Sequence, residues 1–286
     1  MPQANTPCLL LLIFSLLASL NTAIADTSTA LLAMENPQNP MIRISTSQGE
    51  IYLELFPLEA PSNVENFIAL AEGEKEFTNQ DTGEPILARY YNGMRFHRVV
   101  PGFVIQAGSP AYNPLGLQIN LLDDEINADA LGLDQISALN TDGSFAAELN
   151  IESKPDFHKE ILTPLYSQRN ITDVEAALSS QYQLLEALQG LSVKSVYENQ
   201  GYRYDDSLAS RPIERGIVAL ANSGPDSNGP EFFISLTAAE WLSGKYTVIG
   251  KVIEGQEVMD RIGGTAIDPD QFSSQSTLIY SVRKAN

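Results

Sequence analysis

The sequence predicts a mainly β protein: a closed barrel of antiparallel strands with two short helices, interrupted by a long, partly helical insertion. Three observations carry that expectation. Short segments that are apolar, or that alternate apolar with polar residues, cluster toward both ends of the chain between Gly, Pro and Asn breaks. Two brief stretches among them have helical periodicity instead. Over about residues 110–211 the alternation lapses and charge accumulates, with 6 Lys/Arg against 16 Asp/Glu between Asn113 and Arg211. Closure into a barrel is the expected arrangement because it leaves no strand edge exposed.

In chain order, "MPQANTPCLLLLIFSLLASLNTAIA" (residues 1–25) has no ionisable side chain, an apolar run from Leu9 to Leu20 and a small-x-small pattern before Asp26. It reads as a secretory signal peptide, being short for a bilayer span. Residues 26–40 read as an irregular lead-in, and the domain proper as 41–286. "MIRISTSQGEIYLELF" alternates about Gln48-Gly49, a hairpin signal. "EAPSNVENFIALAEG" has Pro61 at a helix start, Val64, Phe67, Ile68 and Ala71 at helical spacing, and Gly73 as its stop. "RFHRVVPGFVIQAG" reads as strand, Pro101-Gly102 turn, strand.

Within the insertion, "TDVEAALSSQYQLLEALQGL" is expected to form one helix. Thr172 and Glu175 make a capping-box pair, Val174, Leu178, Leu185 and Leu188 share one face, and Gly190 ends it. "DDEINAD" (Asp123–Asp129) lacks the glycine and terminal Glu of a calcium loop and reads as a solvated turn. After Ile213, "GIVALANS", "EFFISLT", "YTVIGKVI" and "STLIYSVRK" read as strands. "GQEVMDRIG" reads as a short helix with Val258 and Ile262 inward.

The net charge of −19 argues against nucleic-acid partners and anionic lipid surfaces. The single cysteine, Cys8, lies in the leader, so the exported chain is expected to hold no disulfide. With only two histidines, no metal site or cofactor is expected.

"RFHRVVPGFVIQAG", "GIVALANSGPDSNGPEFFIS" and "EWLSGKYTVIGKVIEGQEVMDRI" resemble the three signature blocks of cyclophilin-type peptidyl-prolyl cis–trans isomerases. "GEIYLELFPLEAPSNVENFIAL" is similar to the family's first hairpin and helix. The resemblance covers roughly residues 41–109 and 212–284. It implies an eight-stranded antiparallel barrel capped by two helices, enlarged here by the insertion. It also implies proline-containing polypeptide clients, sensitivity to cyclosporin-type inhibitors through the retained Trp241, and a monomer. With the leader, the expected compartment is a bacterial periplasm, with no lasting membrane anchor and a role in protein folding.

The chemistry explains why such a site would pair a cation with an apolar floor. Rotation about X–Pro faces a barrier of about 18–20 kcal/mol, because nitrogen shares its lone pair with the carbonyl. In the twisted state that lone pair localises on nitrogen, so a fixed donor aimed there stabilises it above either planar isomer. Arginine suits the role because it keeps its proton. The resemblance implies Arg98 as donor and Gln106 as its positioner. Phe103, Val104, Phe233 and Leu242 would form the proline pocket, Ala221 and Asn222 the peptide track, and Trp241 and Tyr246 the rim. His97 is read as structural.

Five positions depart from the commoner family residues: Val104 for Met, Ala107 for Gly, Ser109 for Asp, Glu231 for Gln and Tyr246 for His. Glu231 could pair with Arg98 and weaken its donation, or accept from the peptide. Glu231 and the long acidic insertion together leave an alternative reading: a catalytically weak peptide-binding module or chaperone. For the insertion, an elaborate packed loop and a client-selecting arm both stay open.

Overall fold

The computed structural model describes residues 25–78, 82–113, 120–268 and 276–286. The leader's residues 1–24 lie outside them. No helix among the described residues is long and apolar enough to cross a membrane.

The strands are β1 (Met41–Thr46), β2 (Gly49–Leu55), β3 (Glu76–Thr78), β4 (Pro85–Leu87), β5 (Phe96–Val100), β6 (Val104–Ala107), β7 (Ile217–Leu220), β8 (Phe232–Ser235), β9 (Val248–Glu254) and β10 (Ile279–Lys284). Eight of them form one antiparallel sheet in the order β10-β1-β2-β9-β7-β8-β6-β5, while β3 and β4 pair separately. The sheet curls but its ladder does not close, which corrects the expected closed barrel. Among the described residues the edge strands β5 and β10 meet at their starts, at the isolated bridge Arg95–Leu278 and through Phe96 N donating to Thr277 O at 3.0 Å and Ile279 N donating to Met94 O at 2.7 Å.

Two helices, α2 (Pro61–Glu72) and α8 (Gln256–Gly263), bury Val64, Phe67 and Leu70, and Val258, Met259 and Ile262, in the main core. The lead-in is not irregular throughout. Asp26 accepts from Ser28 N and Thr29 N and starts a helix, α1 (Thr27–Ala33), whose Ala30 packs with Met41, Tyr52 and Ile253. An isolated seven-residue helix is marginal, so this one depends on its cap and that contact.

The insertion has its own core, in which Leu133, Leu149, Ile161, Val193, Val196 and Tyr197 are buried. Its helices are α3 (Lys154–Phe157), α4 (Thr163–Gln168), α5 (Val174–Ser179), α6 (Gln181–Gln189) and α7 (Val193–Asn199), with a π turn at His158–Leu162 between α3 and α4. The single expected helix over 172–191 is therefore two, broken at Ser180. Its cap is Asp173, which accepts from Ala176 N at 2.8 Å, in place of the expected Thr172–Glu175 box.

Both feet of the insertion are clamped to the sheet domain. Ala60 offers α2 no side-chain cap. Glu125 takes that place, accepting from Ser62 N and Asn63 N at 2.9 Å and from Asn63 Nδ2 at 2.8 Å. A carboxylate there satisfies free N–H groups and faces the positive end of the helix dipole. Asp124 and Asp226 each accept from the other's backbone N–H, at 2.9 and 3.1 Å. The Asp123–Asp129 stretch is thus a structural joint rather than a solvated turn. At the other foot Arg211 donates through Nε to both Glu59 oxygens at 3.0 Å and lies 3.7 Å over the Phe56 ring.

Removing the Glu125 carboxylate orphans buried donors on Asn63. Glu125→Ala is expected to cost about 2–3 kcal/mol, lowering Tm by roughly 4–12 °C in calorimetry. An unchanged Tm would show that this foot carries no stability.

Candidate active site

The sheet's alternation sorts its residues onto two faces. Ile105, Ala107, Val218, Leu220, Phe232 and Ile234 enter the main core. Their neighbours Val104, Ile217, Ala219 and Phe233 face the other way, into a second apolar cluster that includes Val248 and Ile213. Cross-strand register then sets a row: Arg98 opposite Gln106, Gln106 opposite Phe233, Phe233 opposite Ala219. Directly opposed residues share a face and touch, so cation, amide and aromatic floor are neighbours by register.

A bulge makes this possible. Two residues apart, Phe96 and Arg98 would normally share a face, and Phe96 is fully buried in the main core. The register shifts between them: Phe96 pairs with Ala107, yet Arg98 pairs with Gln106. The extra residue turns Arg98 out of the core and onto the Phe233 face, a common use of bulges beside sites.

Arg98 Nη1 donates to Gln106 Oε1 at 3.1 Å. Gln106 Nε2 donates in turn to Glu231 Oε1, which also lies 3.1 Å from His97 Nε2. Glu231 does not pair with Arg98, contrary to one expectation; among the described residues no carboxylate forms an ion pair with that guanidinium. A carboxylate only accepts, so it fixes the Gln106 amide with its NH₂ toward Glu231 and its oxygen toward Arg98. Burial pushes the Glu231 carboxyl up. Hydrogen bonding and charge from His97, with hydrogen bonds from Gln106 and Ser109, outweigh it and hold the group below the ordinary glutamate value. His97 is buried against the Tyr112 ring, 5.0 Å between centroids, so its position is that of a support.

The apolar residues gather as the sequence expects. Val104 and Phe233 are buried in the second cluster, with Phe103, Ala221, Trp241, Leu242 and Tyr246 half-buried against it. Phe103 stacks on Trp241 at 5.9 Å, and Phe233 meets Tyr246 edge-on at 5.5 Å. Trp241 and Leu242 sit on a 3₁₀ turn, Glu240–Leu242. Burial pushes the Tyr246 hydroxyl up, and the charge of Arg98 opposes it in part. Asn222 Nδ2 donates to Lys245 O at 2.8 Å, tying the loop after β7 to the loop that carries Tyr246.

The insertion reaches this rim. Gly244 has φ +86°, and a Cβ there would lie 3.3 Å from the Tyr197 ring and closer still to Leu133, so only glycine lets the insertion core pack so near. Tyr204 Oη donates to Gly244 O at 3.0 Å. Beside Gln106 and Glu231 a further cavity of about 490 Å³ is flanked by Pro110, Leu121, Asn222 and Ser227. Leu121 was not legible as a site residue, since only the path of the insertion brings it here.

Fold and site define a face on which a cation is fixed beside an apolar floor. The family model for "Cyclophilin type peptidyl-prolyl cis-trans isomerase/CLD" matches residues 41–284, and the chain belongs to that family of isomerases. It is 28% identical over 228 residues to peptidyl-prolyl cis-trans isomerase B of Streptomyces anulatus, covering 79% of this chain and 85% of the relative. It is 25% identical over 247 residues to the probable peptidyl-prolyl cis-trans isomerase A of Mycobacterium leprae (strain TN), covering 86% and 92%. A crystal structure of a Cryptosporidium parvum cyclophilin type isomerase aligns with TM-score 0.48 and 19% identity over 87% of this chain and 98% of that one.

The Glu231 pKa makes a signed prediction. A carboxyl held below its ordinary value favours the folded state. That increment is complete above the ordinary glutamate pKa of 4.5 and is lost as pH falls through the lower folded value. The Tm gap between wild type and Glu231→Gln is expected to shrink as pH drops below 4.5. A gap independent of pH would show that the carboxylate adds no charge-dependent stability.

Proposed function

We propose that Arg98 drives X–Pro isomerisation by donating to the proline nitrogen as the bond twists, while Phe103, Val104, Phe233 and Leu242 hold the ring. The Arg98–Gln106–Phe233 row carries this reading: one donor is anchored, and the guanidinium's other N–H groups have no partner among the described residues. Only interactions stronger in the twisted state speed the reaction, and a donor fixed by the Gln106–Glu231 relay needs no reorganisation at that moment. Ala221 and Asn222 line the peptide, and flanking residues extend toward the cavity beside Glu231. The rival reading, a binding module or chaperone with weakened turnover, drew on the long acidic insertion and on Glu231; the contacts of Glu231 with Gln106 and His97 give the second of these no support.

The clients are exported proteins whose folding waits on proline. The protein acts as a monomer in a bacterial periplasm after losing residues 1–25, and cyclosporin-type inhibitors compete at Trp241. An X–Pro peptide assay tests the activity: the full chain accelerates the cis-to-trans relaxation, and a rate equal to the uncatalysed one refutes it. Sequencing the N-terminus of the chain recovered from a fractionated bacterial host tests the route. Asp26 as first residue in the periplasm supports it, and Met1 retained in the cytoplasm refutes it.

A further inference from the structure

We infer that the insertion carries a second polypeptide-binding site: an apolar groove between α3–α4 and α5–α6 that takes an apolar client segment flanked by Lys or Arg. The groove encloses about 820 Å³ and is lined by Phe157, Leu162, Tyr166, Leu178, Leu185 and Leu188 among others. That volume lies in the range of pockets that bury most of a drug-sized ligand's surface. Several of the groove's apolar residues are open to solvent. Val174 is 75% exposed, Leu178 63% and Leu185 53%, and nearby Tyr182 is 80% exposed. Contiguous apolar exposure of this kind marks an interaction surface, whereas single scattered residues do not. The π turn at His158–Leu162 lies in the opposite wall, where such turns often accompany function.

Charge selects the occupant. The α5–α6 wall, residues 171–191, carries Asp173, Glu175 and Glu186 and no Lys or Arg, while the α3–α4 wall, residues 153–169, sets Lys154, Lys159 and Arg169 against Asp156 and Glu160, so the acidic excess of the groove lies on the α5–α6 side. Asp173 itself lines the groove. With −10 across the insertion and −19 on the chain, a second copy or an anionic membrane would be repelled, while a cationic segment is attracted. The occupant is therefore a non-native stretch of client with apolar residues between basic ones.

Location gives the groove a use. Phe157 and Leu188 also pack on the insertion core, and that core abuts the rim loop through Tyr197 and Leu133 at Gly244. A client held there stays tethered to the Trp241–Tyr246 rim, which raises the effective concentration of its prolines at Arg98. This benefit, though not the binding, rests on the isomerase reading above.

The test uses the full chain and a fluorescent, proline-free peptide with leucines at helical spacing and lysines at both ends, followed by anisotropy. Binding is expected, weakening as salt shortens the screening length. Leu178→Glu with Leu185→Glu, both at exposed positions, should weaken it by at least about tenfold, the scale of losing one buried leucine. Arg98→Ala should leave it unchanged. A peptide with the same leucines but glutamate ends should bind at least about tenfold more weakly. Equal binding of both peptides, binding unaffected by the leucine changes, or binding lost with Arg98→Ala overturns the proposal. So does sedimentation as a dimer that the double variant dissolves, or capture of the protein by phosphatidylserine vesicles. For the tether, the double variant should slow proline-limited refolding of an unfolded protein while keeping wild-type turnover of a short X–Pro peptide. Equal refolding rates would remove that role, while absent short-peptide turnover in wild type would instead refute the isomerase reading.

Discussion

Arg98→Ala should lower kcat/KM on a short X–Pro peptide by roughly 100- to 1000-fold, the usual scale for deleting one preorganised donor to a transition state. Most of the loss should fall on kcat. The guanidinium is worth most when the proline nitrogen gains its lone pair, and the apolar floor that binds the ring remains in place. Arg98→Lys should rescue little. Lysine keeps the charge but has a compact ammonium in place of the planar fork, so one side chain can no longer bond Gln106 Oε1 and aim a second N–H at the substrate with the same geometry. Arg98 is half-buried and makes no ion pair among the described residues, so far-UV CD and Tm should stay near wild type. Loss of activity with loss of fold would point to a structural cation instead.

The second large effect is on stability and substrate binding together. Phe233 is 4% exposed, central to the second apolar cluster and edge-on to Tyr246. Phe233→Ala removes a ring from a packed site and should cost about 3–5 kcal/mol, or roughly 6–20 °C in Tm. Where the protein remains folded, KM should rise as the floor beneath the ring is lost. Phe233→Leu should recover most of the stability, and its peptide affinity should fall between the two. If Phe233→Ala left KM unchanged at a temperature where it is folded, Phe233 would belong to the core alone.

Much of this was legible in the sequence, and particular residues show why. The β5–β6 hairpin could be read because Pro101-Gly102 breaks an apolar run, and the first hairpin because alternation reverses about a two-residue turn. The residues expected at the site came from three blocks long enough to identify, and the structure does bring Arg98, Gln106, Phe103, Val104, Phe233, Trp241, Leu242 and Tyr246 together. What escaped is whatever depends on pairing rather than pattern. The bulge at His97 cannot be seen in "FHRVV", since alternation alone would put Arg98 beside Phe96 in the core. Barrel closure depends on whether two distant edges meet over a full ladder, which strand count does not settle.

The insertion was least legible, for related reasons. Thr172 and Asp173 are both good caps, and only the backbone path chooses Asp173. The apolar stripe of Val174, Leu178 and Leu185 has the spacing of a core-facing helix, yet the helix breaks at Ser180 and those residues are open to solvent. Glu125 looked like one acid among many. Its role as the cap of α2 spans 62 and 63 residues of chain and is set by the fold alone.

The most direct measurement is two-dimensional exchange NMR on an Ala-Pro-containing peptide with a sub-stoichiometric amount of the protein. With wild type, cis and trans resonances should show exchange cross-peaks far faster than the uncatalysed interconversion of tens to hundreds of seconds. With Arg98→Ala those cross-peaks should vanish, while peptide shifts on titration still report binding. Exchange at the wild-type rate in Arg98→Ala, or none in wild type with binding intact, would contradict the assignment of catalysis to that guanidinium.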